Sequence, residues 1–175
     1  MGVNFFMVFF SMTYFLLLPG FVKDVLDAGP DRLGLLISIS GIGSLAGSLL
    51  IASMPDRNRG RVLLYSALLL GVGLIFFASS TNYWLSVFIL TVVGLGQSGR
   101  MSLSNVLLQA SVDNEYRGRV MSIYMLEFSI LAISIYPISV LADWVGPQIA
   151  VGVSGLGLVA LVLILFKVPA YRNID

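Results

Sequence analysis

The stretch LGLLISISGIGSLAGSLLIASMPDRNRGR, residues 33–61, decides the fold class. Residues 33–54 carry no charge, and then Arg57, Arg59 and Arg61 arrive together. A bilayer's hydrocarbon core is roughly 30 Å thick, which about 20 helical residues cross. Inside that core every backbone N–H and C=O must be satisfied within the segment, so an apolar run of this length predicts a helix. Arginines gathered just beyond its end predict the side of the membrane on which the chain emerges.

The same alternation fills the chain. Apolar spans are predicted at about 3–22, 33–54, 62–80, 84–109, 120–142 and 147–167, giving an all-α membrane protein with residues 1–175 as a single six-helix transmembrane bundle. Residues of the set AVILMFWYC make up 58% of the chain and charged residues 11%. A soluble domain carries about 25% charged residues, so a packed soluble core is a poor alternative. The net charge of +1, with no basic cluster on one segment, gives no sign of a nucleic-acid partner. Cysteine and histidine are both absent, which removes disulfides, thiol chemistry and the usual zinc ligands. No cofactor and no metal site is expected. The opening Met1-Gly2-Val3-Asn4 lacks a basic n-region, so the first run reads as a retained span.

Lys and Arg sort by side. Arg57, Arg59, Arg61, Arg117, Arg119, Lys167 and Arg172 fall on one side, Lys23 and Arg32 on the other, and Arg100 lies within a span. The positive-inside rule then places both termini in the cytoplasm of a multi-pass protein of the plasma (inner) membrane, which an even number of spans requires. Tyr83, Trp84 and Trp144 fit interfacial anchors on the outer side. The short gaps predict that sequential helices pack as antiparallel neighbours.

Helix contact in lipid relies on close packing of small residues. Ser40, Gly43, Ser44, Gly47 and Ser48 form such a stripe in the second span, read first as an intramolecular seam and second as a dimer seam. Gly94, Gly96 and Gly99 act similarly in the fourth span, and Pro19 and Pro137 should kink the first and fifth.

Ionisable residues inside a membrane are expensive and face a bundle interior or a watery cavity. Arg100 and Glu127 are such residues on adjacent antiparallel spans, where an ion pair is possible. The bland alternative for Arg100 is snorkelling to the interface if its helix ends near Ser104. For Glu127 the alternatives are a structural hydrogen bond and a role in proton or substrate handling. Gln97, Ser98, Arg100, Ser102, Ser104, Asn105 and Gln109 cover about half the circumference of the fourth span, which suggests a water-filled pathway. Asn4, Ser11 and Tyr14 give a weaker polar face in the first span. The candidate substrate or proton pathway is therefore Asn4, Tyr14, Gln97, Arg100, Asn105 and Glu127. Asp56 could cap a helix N-terminus and the arginines around it meet helix C-termini or lipid phosphates; the alternative for these arginines, as for Arg117 and Arg119, is positive-inside topology alone. No phosphate loop, nucleophile triad or metal cluster appears, so an enzyme is not expected.

Four stretches resemble the major facilitator superfamily. Leu18 to Leu26 with Ala28-Gly29-Pro30 resembles its seventh helix and outer loop. Leu33-Gly34-Leu35-Leu36 with Gly41-Ile42-Gly43 resembles the start of its eighth. Asp56-Arg57-Asn58-Arg59-Gly60-Arg61 resembles the loop between helices eight and nine, and Tyr116-Arg117-Gly118-Arg119-Val120-Met121-Ser122 the loop into helix eleven. More narrowly, these stretches look like the C-terminal half of exporters related to enterobactin and macrolide efflux proteins. The resemblance implies six helices forming one half, a 3+3 inverted repeat, of a twelve-helix transporter. It further implies a small-molecule substrate between the halves, commonly with proton-coupled efflux. Asp56, Arg57, Gly60, Arg61, Arg117, Gly118 and Arg119 would form the cytoplasmic gate, although the Asp-Arg to Gly-Arg spacing is one residue longer than the usual motif. The implied partners are the lipid bilayer and either a second, N-terminal half or a second copy of this chain. The alternative is a truncated, non-transporting membrane protein or assembly partner.

Overall fold

The computed structural model describes residues 2–54, 58–110, 112–113 and 115–168, apart from the side chains of 127–135 and 137. Among them lie six helices: α1 (Gly2–Asp24), α2 (Pro30–Ser53), α3 (Arg59–Ser79), α4 (Tyr83–Ala110), α5 (Arg117–Val145) and α6 (Pro147–Phe166). Every helix matches a predicted span; α2, α3 and α5 begin about a turn before it, and α5 also ends a turn after it. The apolar run stops at the first charge, whereas the helix continues through charged residues at its ends. Pro30 and Pro147 open α2 and α6 in the first helical turn, where a missing N–H costs nothing. By length and composition α1, α2, α3 and α6 are each apolar enough to cross a membrane. The helix ends are set by local chemistry: Gly146 turns the chain between α5 and α6 at φ +86°, and Asn58 enters α3 in the left-handed region, where asparagine is tolerated.

Cross-helix contacts fix which ends lie together. Phe21 near the end of α1 stacks on Phe77 near the end of α3, with ring centroids 4.3 Å apart. Arg32 at the start of α2 lies over the ring of Tyr83 at the start of α4, 5.2 Å from its centroid, and the Tyr83 hydroxyl donates to the Arg32 carbonyl at 3.1 Å. Tyr65 early in α3 meets Phe166 at the end of α6. The ends bearing Arg59, Arg61, Arg117 and Arg119 therefore face one way, and those bearing Lys23 and Arg32 the other. Trp84 and Trp144 are both strongly exposed at the second end.

The apolar core is built by α1, α3 and α6 around Leu18, Phe21, Leu70, Leu74, Phe77 and Leu158. Among the described residues, the expectation of sequential neighbours holds for α3 with α4 but not for α2 with α3, nor for α4 with α5, the two helices that carry Arg100 and Glu127. The largest interfaces are α2 with α4, α3 with α4, and α3 with α6, while α2 and α3 are not a packed pair among the described residues. The reason is the distribution of small residues. A Cβ on Gly43 would stand 2.1 Å from the Thr91 carbonyl oxygen, one on Gly47 2.6 Å from that of Leu95, and one on Gly94 2.2 Å from that of Ser40. The two backbones touch where side chains would have to be, and α4 takes the place beside α2 that the next helix in sequence was expected to fill. The small-residue stripe of α2 is thus an internal seam. Both α1 and α5 continue through Pro19 and Pro137 as single helices.

Candidate functional site

A cleft of about 320 Å³ opens between α1, α2 and α4. Tyr14 and Met12 come from α1, Ser40 and Ser44 from α2, and Gln97 and Met101 from α4. Tyr14, Ser40 and Gln97 stand near the middles of their helices, about 15–20 Å from either end at 1.5 Å rise per residue. In a bilayer that depth is the midplane.

The cleft follows from the seam beside it. α2 and α4 are held at backbone distance, and the Ser44 hydroxyl donates across to the Gly94 carbonyl at 3.1 Å. α1 packs chiefly on α6 and stands away from α2. Bulky Tyr14, Phe15 and Ile37 prop that side open, and the polar groups of all three helices converge in the gap. The Tyr14 hydroxyl meets Ser40, and Tyr14 lies within electrostatic range of Arg100. The Gln97 amide nitrogen reaches the Met12 sulfur at 3.6 Å. Its amide oxygen is buried with no hydrogen-bond partner among the described residues. A buried carbonyl left in that state costs about 1–3 kcal/mol. Among the described residues the lining is uncharged, so the cleft offers hydrogen bonds and aromatic or thioether surface to a ligand.

Of the predicted pathway residues, Tyr14 and Gln97 meet in this cleft. Arg100 lies one turn beyond Gln97, 1% exposed. α4 continues to Ala110, about 15 Å past it, so Arg100 does not snorkel to an interface. Asn105 and Asn4 are half-buried nearer the basic end of the bundle, and the Gln109 amide donates to the Asn105 side-chain oxygen. The side chain of Glu127 lies outside the described residues, as do Asp56 and Arg57. Of the remaining loop residues, Gly60 is buried, and Arg61, Arg117, Gly118 and Arg119 are exposed. The Arg117 guanidinium donates to the Gln109 carbonyl at 3.3 Å, clipping the start of α5 to the end of α4. The α3 N-cap position belongs to Asn58, whose carbonyl accepts from the N–H groups of Arg61 and Val62 at 3.0 and 3.2 Å. Sequence reading missed Ser40 and Ser44 as site residues because it assigned them to the packing stripe. They serve both faces of α2: the Ser40 carbonyl meets Gly94 while its hydroxyl meets Tyr14.

The sequence model of the Major Facilitator Superfamily matches residues 1–173. The low-affinity glucose transporter HXT1 of Saccharomyces cerevisiae is 33% identical over 95 residues, 53% of this chain and 17% of the relative. The arabinose-proton symporter of Bacillus subtilis is 33% identical over 116 residues, 66% of this chain and 25% of the relative. The organic cation/carnitine transporter 6 of Arabidopsis thaliana is 29% identical over 104 residues, 58% of this chain and 20% of the relative. No solved structure matches. The chain thus spans 25% or less of the length of these curated relatives. A match to the family across nearly every residue, on six long helices that gather polar groups at mid-depth, identifies the chain as a member of the major facilitator superfamily, a family of membrane transporters and not of enzymes.

Proposed function

We propose that this chain is one six-helix half of a secondary-active transporter, and that the cleft between α1, α2 and α4 binds a small, uncharged, hydroxyl-bearing molecule. The single observation carrying this reading is the convergence of Tyr14, Ser40 and Gln97 at mid-depth in an uncharged cleft. Hydroxyl groups both donate to and accept from side chains such as Tyr14, Ser40 and Ser44, and the uncharged lining favours a neutral molecule. The relatives named for glucose and for arabinose-proton symport support that substrate class. The second half would close the cleft against the exposed apolar face of α2, where Ile42, Leu45 and Leu49 face outward. A second copy of this chain is the alternative partner for that face. The gathering of arginines at one end of the bundle supports an orientation with both termini in the cytoplasm.

Glu127 is the one carboxylate set deep within a predicted span, and it is our candidate for proton coupling, paired with Arg100 across α4 and α5. A charge-swapped double variant should then recover transport lost in either single variant. An absence of recovery in a stably inserted protein would remove the pairing.

Export of a more apolar molecule is the second reading. It is favoured by the resemblance of Tyr116 to Ser122 to the enterobactin and macrolide exporter group, and by Met12, Phe15 and Met101 in the cleft. The relatives described above lend it no support. Proteoliposomes holding the transporter, with an imposed pH gradient, separate the two: labelled pentoses and hexoses should be taken up and competed by one another. Flux of an apolar dye with no sugar uptake would give the second reading instead. No flux of either, with good insertion, would leave a non-transporting remnant or assembly partner.

A further inference from the structure

The helices α2 and α3, consecutive but not packed together, leave a lateral groove of about 580 Å³ between them, floored by α4 at Leu95 and Gly99. Its walls are apolar, with Leu50 and Met54 from α2 and Leu69 and Val72 from α3. Between Val62 and Val72 it covers about 15 Å of helix, the depth of one leaflet of a roughly 30 Å hydrocarbon core. Leu69 and Val72 also line a second cleft of about 450 Å³ that continues towards the other membrane face. At the basic end stands Arg61. On α3 it shares a face with Tyr65, Leu69 and Val72, at helical spacings of four, four and three residues. It is exposed, and among the described residues it makes no ion pair or side-chain hydrogen bond.

We propose that this groove holds an anionic phospholipid, its acyl chain between α2 and α3 and its phosphate on Arg61. A trench open to the side of a membrane protein meets lipid tails, and a guanidinium at headgroup level selects the negatively charged ones. The proposal rests on the chain lying in a bilayer and is independent of the cleft between α1, α2 and α4.

The test places the reporter Met54→Trp at the groove mouth, in a Trp84→Phe/Trp144→Phe background, within the full-length protein. Its fluorescence is followed in bilayers of unlabelled zwitterionic lipid containing a small fraction of bromine-labelled phosphatidylglycerol or bromine-labelled phosphatidylcholine. Quenching should show about a fivefold preference for the anionic probe, the contribution of one arginine near the surface. Arg61→Gln should abolish that preference, Arg61→Lys should keep it, and Arg119→Gln should leave it unchanged. Equal quenching by both probes, no quenching by either, a preference that survives Arg61→Gln, or one lost in Arg119→Gln would each overturn the proposal.

Discussion

The same stretch of α2, Ser40 to Gly47, makes two very different contacts. Towards α4 it closes to backbone distance, with Gly43 under Thr91 and Ser40 under Gly94. Towards α1 it stands off, leaving the cleft of Tyr14, Ser40 and Gln97. Neither contact is set by hydrophobicity, because lipid is as apolar as the helices. Glycine facing a backbone closes the first, and Tyr14, Phe15 and Ile37 prop the second open. A seam that rigid fixes two walls of the cleft, while the third wall, α1, is held from behind by α6.

The largest expected effect breaks the seam. Gly43→Ala places a methyl group where the nearest atom is the Thr91 carbonyl oxygen at 2.1 Å, which no rotamer change relieves. Separation of α2 from α4 should cost about 3 kcal/mol. It should appear as a large fall in the thermal midpoint of the detergent-solubilised protein, and an unchanged midpoint would mean the helices are not in backbone contact. The next effect acts on the cleft alone. Gln97→Leu should weaken substrate binding about tenfold, the loss of one good buried hydrogen bond, while stability holds or rises because the unpartnered amide oxygen is gone. Isothermal binding and thermal midpoint, measured on one preparation, check both halves of that statement.

A smaller effect is expected away from both. Tyr83→Phe removes the hydroxyl donated to the Arg32 carbonyl and leaves the guanidinium over the ring. Stability should fall by about 1 kcal/mol or less, with transport unchanged. The smallest change sharpens the contrast within α2. Gly41 lies two residues from Gly43 but has nothing within 4 Å of its would-be Cβ. Gly41→Ala should therefore stabilise by about 0.5–1 kcal/mol through helix propensity. Equal destabilisation by Gly41→Ala and Gly43→Ala would contradict the asymmetry between the two faces.

The helices were legible in the sequence because membrane burial demands long uncharged runs, and residues 33–54 and 147–166 supply them plainly. Their neighbours were not legible. Short loops suggest adjacent packing, but what draws α2 to α4 is the matching of Gly43 and Gly47 with Gly94, a relation between residues some fifty positions apart that hydropathy does not carry. The site was half legible for a related reason. Gln97 and Tyr14 stood out as polar groups deep in spans, whereas Ser40 looked like packing because a serine is small enough to do both. The depth of Arg100 became clear only once α4 was seen to run on to Ala110.

These 175 residues contain no cysteine, so a single introduced thiol is the one labelling site among them. The most direct measurement is the labelling of Ser40→Cys in membranes by a small water-soluble thiol reagent, beside Ser86→Cys, whose parent serine is fully buried between the α3 end and α4. A cleft that admits a polar substrate at mid-depth predicts rapid labelling at position 40, slowed by the transported molecule, and none at position 86. Labelling at position 40 as slow as at 86, or unaffected by any transported molecule, would contradict the assignment of the cleft as the binding site.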